Sequence, residues 1–264
     1  MLKIENAEVF GWEHAIRGMR NPMNSWEKSD SEFITADGDH HDITGNSGPW
    51  YGEDGWSENL IGPEDRKLMI KLSRAGTDHR KFMRMITVYL NIMAPLYWWK
   101  EFDTYKVGTV ANSCSTMHKI TAKDFDVNDF SHEHIEELNG DEYSMSYDWL
   151  LRTVDILNYY RKKYNTASEK LKRDITNAER KHVLAQQKLF WWQMIQLLPS
   201  SYNQKRTVML NYEVLANIYK SRRGHKLDEW HTLCDWIETL PLSEKKNDCT
   251  CIYGDVCIRC FHCN

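Results

Sequence analysis

A mixed α/β fold, with an α+β arrangement equally open, is what this sequence predicts from three observations. Two runs, KFMRMITVYLNIM at 81–93 and NQKRTVMLN at 203–211, are rich in β-branched residues and alternate apolar with polar positions, as strands do. Long stretches with helical apolar spacing separate them. No series of hairpin turns and no internal repeat interrupts that order. A chain patterned this way lays long helices on a mixed sheet.

The elements follow in chain order. Residues 1–33 open on apolar Ile4, Val9 and Phe10 and pass into AIRGMRNPMNSWEKSDS, whose Asn-Pro step and Ser/Asp clusters predict turns and caps. Residues 35–63, rich in Gly, Asp and Asn, form a loop long enough to suggest a lid or binding segment. A helix is expected from Pro63, with Glu64 and Asp65 at its positive end, Leu68, Leu72 and Ala75 on one face, and Gly76 as its stop. The 81–93 strand breaks at Ala94-Pro95, and LYWWKEFDTYK then has the length for three helical turns before Gly108 opens a loop. Long helices are expected over 147–163 and 178–197, with the charged residues between them also helical and solvated. After the 203–211 strand come a helix with Leu215, Ile218 and Tyr219 inward, closed by Gly224, and an amphipathic helix ending at Pro241. Residues 1–243 are thus expected as the working domain and 244–264 as a cysteine-rich tail.

The composition restricts the function. At 264 residues, 41% hydrophobic and 27% charged, with eleven Trp and thirteen Tyr, the chain can bury a core without staples. No apolar run reaches the roughly 18 residues of a membrane span, and no basic, apolar leader opens the sequence, so neither a membrane nor secretion is expected. A net charge of −4 argues against bulk nucleic-acid binding, yet one mononucleotide needs only a local pocket. Seven cysteines, an odd number, favour reduced thiols and a cytoplasmic setting.

At 94–120 the sequence APLYWWKEFDTYKVGTVANSCSTMHKI resembles, in spacing more than in identity, a signature of the flavin-dependent thymidylate synthases, A-P followed by Q-x-x-R-H-R-x-x-S-x-N-x-x-S-x-R. TVMLNYEVLANIYKSRRGHKLDEWHTLCDWI resembles the same family's T-V-N-x-R-x-x-x-N-F-x-x-x-R segment, keeping Asn211, Asn217, Arg222, His225, Glu229 and Trp230. AGTDHRKF resembles its upstream Gly-His region. The resemblance implies a mixed α/β fold and a homotetramer with shared sites. It further implies FAD as hydride carrier, deoxyuridine monophosphate (dUMP) as acceptor, methylenetetrahydrofolate as one-carbon donor and NADPH as reductant. It assigns His79, Arg80, Asn211 and Asn217 to the flavin, and Glu101, Lys106, Asn112, Ser115 and Arg222 to the pyrimidine nucleotide. A bacterial or phage-infected cell is the matching setting. The departures are equally specific: R-H-R falls on Thr104, Tyr105 and Lys106, the glutamine on Glu101, the substrate-side serine on Cys114 and the last arginine on Thr116. An ammonium at Lys106 lacks the planar fork that grips a phosphate.

The chemistry asked of these residues is activation of uracil C5, a poor nucleophile until charge is pushed into the ring. A cation can hold the pyrimidine in an anion-like form, the role the resemblance gives Arg222, or a thiolate can add at C6, the role open to Cys114. Each has a plain alternative. Arg222 can cap a helix end, and Cys114, which needs a cation such as Lys106, His118 or Lys119 beside it, can be an inert small residue. His40 and His41 with Asp39 and Asp42 have metal-binding ligand types. Cys249, Cys251, Cys257, Cys260 and Cys263 supply enough thiolates for a zinc site, or form an uncoordinated tail. Two functions remain open: one-carbon transfer to C5 of dUMP or a related pyrimidine deoxynucleotide, and a non-catalytic nucleotide-binding or assembly protein that keeps the fold without FAD.

Overall fold

The computed structural model describes residues 2–34, 39–45, 60–136 and 144–243. Strand β1 spans Lys3–Phe10 and helix α1 spans Trp12–Arg20. α1 takes the first part of the segment expected as turns and caps, because Trp12, Ala15, Ile16 and Met19 recur at helical spacing and are all buried, while Asn21–Met23 and Trp26–Lys28 form short 3-10 turns. β2 (Phe33–Ile34) and β3 (His40–His41) form a separate antiparallel pair with Phe33 opposite His41. Most of the loop expected at 35–63 lies outside the described residues.

α2 (Pro63–Arg74) starts where the sequence places it. The next strand, β4, covers only Thr87–Pro95, because Arg80–Arg84 form a 3-10 turn that buries the consecutive residues Phe82 and Met83. α3 (Leu96–Phe102) is shorter than three turns. The expected loop then contains β5 (Val110–Ser113), followed by the short helices α4 (Thr116–Lys119) and α5 (Glu133–Glu136). α6 (Ser144–Leu171), α7 (Asn177–Leu197), β6 (Asn203–Asn211), α8 (Tyr212–Arg222) and α9 (Asp228–Ile237) complete the described chain. The architecture is mixed α/β, with four strands hydrogen-bonded in the order β1-β4-β6-β5, running antiparallel rather than in mixed directions. No helix among the described residues is long and apolar enough to cross a membrane.

The charged stretch between the long helices, expected to be helical, breaks over 172–176. The Thr176 hydroxyl accepts from Glu179 N at 3.3 Å while the Thr176 N–H donates to Glu179 Oε2 at 3.0 Å, a reciprocal cap that opens α7. The Thr176 hydroxyl and N–H both hold the Glu179 carboxyl below its ordinary pKa. A carboxylate depressed in the folded state stabilises fully above its unfolded pKa and loses that contribution as pH falls through the folded value. Glu179→Ala is therefore expected to melt below the parent at pH 7, with the gap narrowing below about pH 4. Far-UV circular dichroism melts across pH measure it, and a gap independent of pH would contradict the cap.

The chain divides into two compact units. One contains Asn91–Thr104 and Asn112–Thr207 with the start of β1. In it α6 packs along α7 over Phe125, Phe130, Leu150, Val154, Leu157 and Met194. Asn158 pins the loop before α5 by bonding both the N–H and the carbonyl of Phe125 at 2.9 and 2.8 Å. Trp98, Trp99 and Phe102 of α3 are fully buried, and Trp99 Nε1 donates to the Gln204 carbonyl at 3.0 Å.

The other unit contains Glu5–Leu90, Tyr105–Ala111 and the chain from Val208. Trp12 of α1 meets Tyr212 of α8 edge to face, and the Tyr212 hydroxyl donates to the Pro241 carbonyl at 3.0 Å. Gly11, with φ 93°, is required here, since a Cβ would sit 2.1 Å from the Met85 carbonyl oxygen. α2 is anchored through Asp65, which is 0% exposed and accepts from Arg20 Nε at 2.6 Å, Ser29 Oγ at 2.5 Å and Ser31 Oγ at 2.6 Å.

Candidate functional site

In the second unit the end of α8 meets the turn that follows α3. Arg222 Nε donates to the Tyr105 hydroxyl at 3.0 Å, and its guanidinium lies 4.7 Å from the Trp230 ring and 5.7 Å from the Tyr105 ring. A cation between two aromatic faces is held by their quadrupoles. Trp230 is buried on α9, and its ring also packs edge-on against Tyr105 and His225. The His225 carbonyl is bonded by His231 Nε2 at 2.7 Å, which fixes the loop between α8 and α9. Arg222 thus directs Nε to the Tyr105 hydroxyl from the last turn of its helix. Its neighbour Arg223 turns instead to Asp235 and Glu238.

The same turn approaches the start of α8. A Cβ on Gly108, which has φ 76°, would lie 2.7 Å from Asn211 Nδ2. Asn211 is buried, and its Oδ1 accepts from Val214 N at 3.1 Å, capping α8 and leaving the amide nitrogen toward the Gly108 turn. Asn217, on the same helix, is exposed. Glu213, four residues earlier, is buried and ion-paired with both Arg80, at 3.3 Å, and Arg84. Glu213 raises the Arg84 pKa through that contact. His79 is exposed at the head of the 3-10 turn.

Of the substrate-side candidates, Glu101, Asn112, Cys114 and Ser115 fall in the first unit, and Lys106 is exposed beside Tyr105 in the second. Glu101 is half-buried on α3, and its carbonyl accepts from Thr104 Oγ1 at 2.7 Å. Asn112 is exposed on β5. Cys114 is exposed, with its N–H donating to the Lys205 carbonyl at 2.9 Å and its carbonyl accepting from Gln204 Nε2 at 3.0 Å. Ser115 spends its hydroxyl on the His118 N–H at 3.0 Å, capping α4. Asp42 closes a turn onto Thr44 and His41 faces Glu13. Among the described residues no group of three His, Cys, Asp or Glu is placed to hold a metal. Cys249, Cys251, Cys257, Cys260 and Cys263 lie outside the described residues.

No protein-family model matches the chain, and no curated protein sequence does. Among solved structures it is similar to thymidylate synthase X (ThyX) from Helicobacter pylori with FAD and dUMP, at TM-score 0.54 and 14% identity over 95% of this chain and 99% of that one. A second structure of the flavin-dependent thymidylate synthase ThyX from that organism, complexed with FAD and dUMP, gives TM-score 0.52 and 14% identity over 90% of this chain and 94% of that one. The chain has the flavin-dependent thymidylate synthase fold. A UMP/dUMP methylase, PolB from Streptomyces cacaoi bound with 5-Br dUMP, gives TM-score 0.46 and 14% identity over 90% of this chain and 89% of that one.

On this fold Tyr105, which the resemblance aligns with the signature histidine, is the residue that receives Arg222. Sequence reasoning missed Arg206. Its guanidinium lies 4.1 Å from the Trp99 ring and bonds Asp103 at 2.7 Å and Gln204 at 3.0 Å, with the side chain only 15% exposed. The signal was present: Arg206 shares a strand face with Val208 and Leu210, both buried, so a cation stands in an apolar register.

Proposed function

We propose that this chain is a diverged flavin-dependent thymidylate-synthase-like enzyme that transfers a one-carbon unit to C5 of dUMP or a related pyrimidine deoxynucleotide. The observation that carries this reading is the 3.0 Å bond from Arg222 to Tyr105, because it joins the arginine of one family-like segment to the central residue of the other. Arg222 binds the pyrimidine and stabilises the negative charge that C5 attack requires, with Tyr105 and Trp230 fixing the guanidinium plane. Lys106, exposed beside Tyr105, contributes a point charge toward the phosphate. Cys114 carries the second route, thiolate addition at C6. Glu101, Asn112 and Ser115 remain assigned to the substrate by resemblance.

For FAD, the exposed His79 and Asn217 and the Asn211 amide supply hydrogen-bonding groups suited to a flavin ring. When bound, FAD supplies the hydride, with methylenetetrahydrofolate as one-carbon source and NADPH as reductant. The working domain is 1–243, assembled as a homotetramer in a bacterial or phage-infected cytoplasm, with zinc assigned to the cysteine tail.

A second reading is favoured by one contact set: Glu213 pairs with both Arg80 and Arg84, so Arg80 is already engaged by a carboxylate of the chain in the position the resemblance gives to flavin binding. On that reading the chain is a nucleotide-binding or assembly protein without FAD. The purified protein decides between them. The enzyme reading expects a visible flavin absorption band and tritium release from C5-labelled dUMP. Colourless protein that neither takes up FAD nor releases tritium overturns it. Release without flavin that is lost in Cys114→Ala assigns the thiolate route.

A further inference from the structure

We infer that the cavity between the end of α1 and the exposed face of α2 is a binding site for a nucleotide bearing two or more phosphates. The cavity measures about 570 Å³, within the range of small-molecule sites. At its wall lies Arg20, only 4% exposed. Its donors are partly taken: Nε by Asp65 at 2.6 Å, one terminal nitrogen by the Ser25 carbonyl at 3.1 Å and the other by the Lys28 carbonyl at 2.8 Å. A guanidinium carries five N–H groups, so two have no acceptor among the described residues. A buried donor left without a partner is costly, and an anion in the cavity would satisfy both.

The charge around Arg20 has the matching sign. Asp65 offsets Arg20 itself, and the cavity is further lined by Lys28, Lys67 and Lys71 against the single carboxylate of Glu64. Lys67 and Lys71 stand four apart on α2 and present their ammonium groups on one face. Recognition does not come from the start of α2, whose N–H groups at Glu64 and Asp65 already donate to the Asp30 carboxylate at 2.8 and 3.0 Å.

The rest of the lining explains why the ligand is more than a phosphate. Met23 is 81% exposed, and with Leu68 it gives the cationic cavity an apolar part. A thioether is a polarisable, adaptable surface for a planar base. Phosphates on the lysines and Arg20, with a base over Met23 and Leu68, match the cationic and apolar parts of the lining.

Isothermal titration of the full chain with ADP and with inorganic pyrophosphate tests the site. Both are expected to bind, ADP more tightly. Lys67→Ala/Lys71→Ala, which alters only exposed side chains, is expected to weaken both by about tenfold or more, as loss of charge-assisted hydrogen bonds dictates. Met23→Ala is expected to weaken ADP and leave pyrophosphate unchanged. Lys188→Ala on α7 is expected to change neither. No binding of either probe by the parent protein, or binding untouched by the double substitution, would overturn the site. ADP binding no more tightly than pyrophosphate would overturn the nucleotide assignment.

Discussion

Arg222→Ala is expected to lower tritium release from C5-labelled dUMP by about 100-fold or more, the usual cost of removing a donor aimed at developing charge. The Arg222 guanidinium is half-buried and held on two sides, since the Tyr105 hydroxyl accepts from Nε and the Trp230 ring lies 4.7 Å away. These contacts fix the plane of the guanidinium, so a ligand that meets it does so with little loss of side-chain freedom. Arg222→Lys should recover little, because an ammonium keeps the charge and loses both the planar fork and the stacking. Tyr105→Phe separates positioning from charge: it deletes one acceptor and retains the ring. It should cost roughly 1 kcal/mol, or several-fold, with the pyrimidine KM rising more than kcat falls. Equal rates in the parent and Arg222→Ala would remove Arg222 from the chemistry, whatever the fold.

The pairing of Tyr105 with Arg222 joins residues 117 positions apart, which no local pattern encodes; only the ordered resemblance of two segments put them in one expected site. Elements with strong periodicity and clear punctuation were legible: α2 from Pro63 and its acids, α8 from Leu215, Ile218 and Tyr219. α1 was not, although its buried residues have helical spacing, because a glycine and two arginines interrupt the apolar pattern and one of those arginines, Arg20, is itself buried. β5 carries no signal because all four of its residues are exposed, and the neighbouring Cys114 N–H pairs with the Lys205 carbonyl on a distant stretch of chain. Glu213 and Asn217 share a helical spacing, yet the structure buries one on two arginines and exposes the other. Spacing identifies a common face; partners from elsewhere decide what that face does.

Asp65 is where that dependence has its largest energetic consequence. Asp65→Ala is expected to destabilise the protein by about 3–5 kcal/mol, because it strands the buried Arg20 charge without a counterion. The same carboxylate also accepts from Ser29 and Ser31, so one substitution leaves two further hydroxyls to find partners. Removing both charges is a different operation. Arg20→Met/Asp65→Leu replaces the pair by apolar side chains that need no counterion, and it is expected to recover much of the loss. Denaturant unfolding followed by tryptophan fluorescence measures both, with Trp12 buried on the helix that carries Arg20. If Asp65→Ala costs less than about 1 kcal/mol, the pair is solvated as a surface bridge would be. Should the double substitution instead be the worse of the two, the buried pair contributes net stability that its apolar replacement cannot match, against the expectation that desolvation outweighs attraction at this depth.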